Sequence, residues 1–169
     1  MKNGPLGYCR MDTPLGKAVA AARDNALIGF WFVGQKYFPQ ETGPWVEEAD
    51  DPVFPALRHW LRRYFAGEAP VVDFALAPRG TPFQEAVWGL LLEIPYGSLT
   101  TYGAMARKMA VKMGRTSMSA QAVGGAVGHN PISILIPCHR VVGSSGDLTG
   151  YAGGIDKKTA LLRLEGAMM

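Results

Sequence analysis

At 169 residues, 48% hydrophobic and 18% charged, the chain is long enough for a real core and too apolar to be disordered. No apolar run approaches the ~20 residues of a spanning helix, and the start Met1-Lys2-Asn3-Gly4-Pro5 lacks the apolar segment of a signal peptide, so a cytoplasmic protein with no membrane association is expected. The +3 formal charge is unevenly shared: residues 1–78 carry eight Lys/Arg against nine Asp/Glu, residues 79–169 nine against five, so a polyanion would meet the C-terminal half.

Residues 8–38 read as a β meander. Tyr8–Met11 is a short strand, Thr13-Pro14-Leu15-Gly16 a turn, and Lys17–Ala22, an Asp24-Asn25 turn and Leu27–Val33 complete it. Residues 39–52, rich in Pro, Gly and acids, read as an exposed loop. Apolar groups at Phe54, Leu57, Trp60, Leu61, Tyr64 and Phe65 have helical spacing, so a helix is expected over Val53–Phe65, stopped by Gly67, with His59 on its outer face. Pro70–Pro78 reads as an extended edge segment and Arg79-Gly80 as a linker. Thr81-Pro82-Phe83-Gln84 opens a new helix: Thr81 caps it, Pro82 suits its first position and Gln84 completes a capping box. That helix runs through Val87, Trp88, Leu91 and Leu92 and ends at Ile94-Pro95-Tyr96-Gly97.

Two further helices are expected, from Thr101 to about Met109 and from Ser119 to about Gly128, joined by a long connection over Ala110–Met118. The second is built almost wholly of small residues, which suits close helix packing or the close approach of another surface. Ile132–Ile136 reads as a buried strand ending at Pro137-Cys138-His139-Arg140. Val141–Leu148 reads as a strand and hairpin turn, Thr149–Gly154 as a glycine loop and Lys157–Glu165 as a terminal helix.

Two cysteines occur, Cys9 and Cys138. There is no Cys-x-x-Cys pair, and His59, His129 and His139 do not fall at metal-ligand spacing with them, so neither a disulfide framework nor a zinc site is expected. Cys138 reads equally as buried filling or as a nucleophile. A nucleophile needs a base and the base an orienting acceptor. His139 and Glu165 are the candidates; an acid in the last turn of a helix is disfavoured unless it has a tertiary partner. Asn130 is placed to fix a local turn, and Tyr151 in the glycine loop to wall a pocket for a flat group.

Taken in order, Ile94-Pro95-Tyr96-Gly97, Thr101-Tyr102-Gly103, Ala122-Val123-Gly124, Asn130-Pro131, Ile136-Pro137-Cys138-His139-Arg140-Val141, Gly150-Tyr151-Ala152-Gly153-Gly154 and Leu161-Leu162-Arg163-Leu164-Glu165 resemble the O6-alkylguanine-DNA alkyltransferases. The match is strong over residues 81–166 and weaker before them. The resemblance implies an α+β protein: a small ribonuclease-H-like α/β domain over residues 1–78, and a winged helix-turn-helix alkyltransferase domain over 79–169. It implies single-turnover transfer of an alkyl group from O6-alkylguanine, and from O4-alkylthymine, to Cys138. His139 would take the thiol proton through a water, Glu165 would orient His139, Asn130 would hold the turn, and Tyr102 would serve the departing guanine. Tyr151, Ala152, Gly153, Val141 and Val127 would meet the base. Thr101, Ala120, Gln121, Ala122, Gly124, Gly125 and Arg140 would meet double-stranded DNA through its minor groove, the target base flipping out of the stack. No cofactor, metal or obligate protein partner is implied.

One departure from the family pattern stands out. Gln121 occupies the position of an arginine that fills the gap left by the flipped base, which implies weaker or more salt-tolerant DNA binding. The longer link before it carries Lys108, Lys112 and Arg115, placed either to touch phosphates or to face solvent. Two other functions fit parts of the pattern. A non-catalytic lesion-binding protein would lack the cysteine, and a cysteine hydrolase would need an oxyanion hole for which there is no separate signal. A subunit of an adaptive-response activator would need a metal-binding module that this chain lacks.

Overall fold

The structure, a computed structural model, describes residues 6–39, 45–47, 50–148 and 150–168. The chain forms two compact units, Met1–Arg79 with Pro131–Ser133, and Gly80–Asn130 with Ile134–Met169.

In the first unit β1 (Gly7–Thr13), β2 (Gly16–Arg23) and β3 (Ala26–Phe32) form an antiparallel meander. Asp24 and Asn25 both take positive φ, 53° and 63°. That is the backbone of a two-residue hairpin turn whose twist matches the strands, and Asp and Asn tolerate it better than most residues. β4 (Val46–Glu47) joins β1 and β5 (Ala75–Leu76) joins β3, both parallel, giving the order β4-β1-β2-β3-β5. The segment expected as an exposed loop therefore contributes a short edge strand; residues 40–44 and 48–49 of it lie outside the described residues.

Helix α1 (Val53–Phe65) packs on β1, β2 and β3 through Phe54, Leu57, Trp60, Leu61 and Tyr64. The alanines of β2, all within 1% of full burial, keep that sheet thin. Pro131 accepts from the Phe30 amide at 2.8 Å and the Ser133 amide donates back to Phe30 at 2.9 Å, so this stretch extends the same sheet.

In the second unit α2 (Pro82–Leu91) begins with the full capping box of Thr81 and Gln84. β6 (Thr100–Thr101) leads into α3 (Tyr102–Lys112), which Thr101 caps by accepting from the Ala104 amide. α4 (Ala120–Gly128) is capped by Ser119. α3 and α4 pack on each other and on α2, and Trp88 Nε1 donates to the Ala126 carbonyl at 2.8 Å in the buried core. β7 (Val141–Val142) pairs parallel with β6, and α5 (Ile155–Leu164) ends the described chain.

Two expectations are corrected. α3 runs to Lys112, three residues further, because Gly114 (φ 67°) permits a left-handed cap. There the Gly114 amide donates to Val111 and the Arg115 amide to Ala110, satisfying the last carbonyls. Residues 132–136 do not form a strand: only Ile132 bridges to Phe30, and Ile134 has φ 71°, which ends any extended run. The strand and turn expected over Val141–Leu148 are present: β7 is followed by a turn in which the Gly143 amide donates to Asp147.

Candidate active site

The second unit gathers Cys138, His139, Glu165, Asn130 and Tyr102 around one buried point. A β-branched residue at positive φ is an outlier costing about 1–3 kcal/mol, and Ile134 is one while only 1% exposed. The buried Asn130 amide donates to the Ile136 carbonyl at 2.8 Å across this turn. Pro137 follows with φ −82°, ψ 65°, and the Cys138 amide donates to Ile136 at 2.8 Å. That is an inverse γ-turn, for which proline is well suited in φ. A single turn of 3₁₀ helix then spans Cys138–Arg140. A strand would send Cys138 and His139 to opposite faces; the tighter turn removes that obstacle.

His139 is fully buried, and its Nε2 lies 2.7 Å from Glu165 Oε2. Burial pushes the imidazole pKa below its ordinary value; hydrogen bonding and attraction from Glu165 oppose this, while Arg140 and Lys158 reinforce it. The ring is therefore neutral, with Nε2–H donating to the carboxylate and Nδ1 carrying the lone pair. Nδ1 is buried and has no hydrogen-bond partner among the described residues. A basic nitrogen so placed can accept a proton.

Glu165 caps α5, where the helix carbonyls repel an acid. Arg140 compensates: its Nε donates to Oε1 at 2.8 Å, its Nη2 to Oε2 at 2.9 Å, and its Nη1 to the Ile94 carbonyl at 2.5 Å. This corrects the expectation that Arg140 meets DNA. Its guanidinium is committed to a buried, bidentate carboxylate, and removing one partner of such a pair costs about 3–5 kcal/mol.

Cys138 is buried, the residue being 7% exposed. Burial pushes its pKa up; the Asn130 hydrogen bond, the charge of Lys158 and the local backbone pull it down. Lys158 is the residue that sequence reasoning missed. It is 0% exposed, and its Nζ donates to the Val141 carbonyl at 2.6 Å and lies 5.9 Å from the centre of the Tyr102 ring. Burial holds its own pKa below the ordinary lysine range, against the pull of Cys138 and Asp147. A signal existed: Lys158, Leu161, Leu162 and Glu165 share the buried stripe of α5 at i, i+3, i+4, i+7. With the thiol ionised, Lys158 balances Cys138 as Arg140 balances Glu165.

Tyr102 opens α3 beside this cluster. Its pKa is pushed up to about 12, first by burial, then by Cys138 and Asp147, so it stays a protonated donor. Gly124 faces its ring, where a Cβ would stand 3.6 Å from Cδ1, and at Gly150 a Cβ would come within 2.8 Å of the phenol oxygen. Gly150 has φ 89°, so both conformation and space call for glycine there.

The other expected residues are spread over two surfaces. Ala120, Gln121, Ala122 and Gly125 form the exposed face of α4, opposite the buried Val123, Ala126 and Val127. Gly124 is half-buried against Tyr102 rather than on that outer face. Tyr151 is buried, Ala152 and Gly153 are half-buried, and Thr149 lies outside the described residues. Val127 and Val141 are both buried, at 2% and 0% exposure, and offer no open surface to a base. Cys9 is buried in β1 with Arg58 Nη2 at 3.6 Å. Among the described residues no three His, Cys, Asp or Glu gather as a metal site.

Fold and site together define a two-unit protein whose helical unit holds a buried thiol and a neutral imidazole bonded to a pinned carboxylate. Comparison with known proteins gives the same class. Residues 6–78 match the family model described as 6-O-methylguanine DNA methyltransferase, ribonuclease-like domain, and residues 82–167 match its DNA binding domain. The methylated-DNA–protein-cysteine methyltransferase of Mycolicibacterium paratuberculosis is 44% identical over 95% of this chain and 92% of its own length. That of Methanosarcina acetivorans is 41% identical over 95% and 98%. The crystal structure of Mycobacterium tuberculosis OGT in complex with DNA superposes with a TM-score of 0.80 at 42% identity, covering 95% of this chain and 93% of that one. The chain belongs to the 6-O-methylguanine DNA methyltransferase family. No helix among the described residues is long and apolar enough to cross a membrane.

Proposed function

We propose that this chain repairs alkylated DNA by moving the alkyl group of O6-alkylguanine, and of O4-alkylthymine, onto Cys138 in one irreversible turnover. The observation that carries this reading is a buried Cys138 followed directly in the chain by the buried His139–Glu165 pair, in a unit that matches a DNA-binding domain. The Cys138 thiol gives its proton to His139 Nδ1, through a water, and Glu165 steadies the imidazolium that forms. The thiolate, balanced by Lys158, attacks the alkyl carbon in line. The S–C bond forms as the C–O6 bond breaks; guanine keeps the electron pair as an anion and is protonated at N1 by water, to which the His139 imidazolium returns its proton. Tyr102 donates a hydrogen bond to the departing base and keeps its own proton, as a phenol near pKa 12 does. The thioether product has no route back to the thiol, so the protein is consumed.

DNA is met as a duplex through its minor groove by the exposed face of α4, whose Ala120, Ala122 and Gly125 are small enough for close approach. Gln121 takes the space of the extruded base, and Tyr151, Ala152 and Gly153 border the base in the pocket. The reaction as written uses no cofactor or obligate partner, and it belongs in the cytoplasm. Titration with a duplex containing O6-methylguanine tests the reading. Transfer is expected to stop at about one equivalent per chain; continued turnover would favour a hydrolase using the same pair.

A further inference from the structure

Between Glu93 and Asp147 the chain contains no acidic residue. Within that stretch Arg107 and Lys108 on α3, Lys112 at its end and Arg115 beyond it are all exposed. Among the described residues none of the four forms an ion pair. The cap at Gly114 turns the chain back on α3, with the Arg115 amide bound to Ala110 at 2.8 Å. Arg115 thereby returns to the face of α3 that bears Arg107. Between them lies a groove of about 500 Å³, lined also by Gly103, Thr116, Ser117 and Ala120. Ala120 is the first residue of α4, so the groove abuts the helix that meets DNA.

We propose that this groove seats the DNA backbone, Arg107 and Arg115 each taking a phosphate, and supplies the fixed charge that Gln121 does not bring. Two guanidinium forks on one groove that Thr116 and Ser117 also line suit phosphate oxygens. Such contacts position the duplex without reading its bases. Lys108 and Lys112, one turn apart, sit on a neighbouring face of α3 and do not line the groove, so they contribute only a general field.

This inference rests on the alkyltransferase reading, and one experiment separates the two. Duplex binding is measured across a range of salt concentrations for the full chain, for R107Q/R115Q, for R115Q alone and for K108Q/K112Q, each with unmodified and O6-methylguanine duplex. The slope of log affinity against log salt is expected to fall by about two for the arginine pair and about one for R115Q, equally on both duplexes. The lysine pair is expected to change it by less than about one. An unchanged slope in both arginine variants would overturn the groove, as would an equal loss in the lysine pair. The wild-type samples are also weighed by mass spectrometry. If the wild type accepts no methyl, the repair reading itself fails; if it is methylated while the arginine variants bind as before, only the groove fails.

Discussion

Lys158 carries the clearest consequence at the level of single residues. A fully buried lysine is rare because its desolvation costs several kcal/mol. Here that cost is offset by one short bond to Val141 and by a thiol that becomes an anion when it reacts. Lysine lowers the Cys138 pKa while burial raises it, so removing the ammonium leaves burial less opposed. In Lys158→Met the pH midpoint for iodoacetamide labelling of Cys138, followed by mass, is therefore expected to move to higher pH, with slower alkyl transfer at neutral pH. A midpoint that stays put or falls would mean that Lys158 serves only to hold Val141.

At the level of elements, caps do much of the positioning. The Gly114 cap ends α3 and directs Arg115 back along it. In Gly114→Ala the Cβ meets no neighbouring atom but the left-handed backbone is strained, so a loss of about 1–2 kcal/mol is expected, read as a lower melting temperature. The helices with strong end signals were legible in the sequence: Thr81, Pro82 and Gln84 define the start of α2, and α1 has the expected bounds and buries the expected apolar residues except Phe65, which is half-buried. The segment before the thiol was not legible. Four apolar residues in five satisfy a strand and a buried turn equally, and the choice was made by the Asn130 amide and the left-handed Ile134, neither of which periodicity reports. Arg140 was misread for a related reason. It was placed at the DNA by resemblance alone, and its partner Glu165 is 25 residues away, a pairing that no local pattern reports.

For the whole molecule, charge separates the two units more sharply than net charge suggests. The acid-free stretch from residue 94 to 146 contains α3 and α4, while Arg140 and Lys158 are buried and do not add to the field at the surface. A cation placed at position 121 would stand on the exposed face of α4. Gln121→Arg is therefore expected to tighten duplex binding and steepen its salt dependence by up to about one in slope; no change in either would show that this face does not meet DNA. Beneath these electrostatics lies one claim, that the sulfur of Cys138 accepts the alkyl group. The direct measurement is intact mass followed by peptide mapping after incubation with duplex containing O6-methylguanine. A gain of about 14 Da, one methyl in place of one hydrogen, mapping to Cys138 and absent from Cys138→Ala, is the predicted result. An unmodified chain, or a methyl found on Cys9, would contradict it.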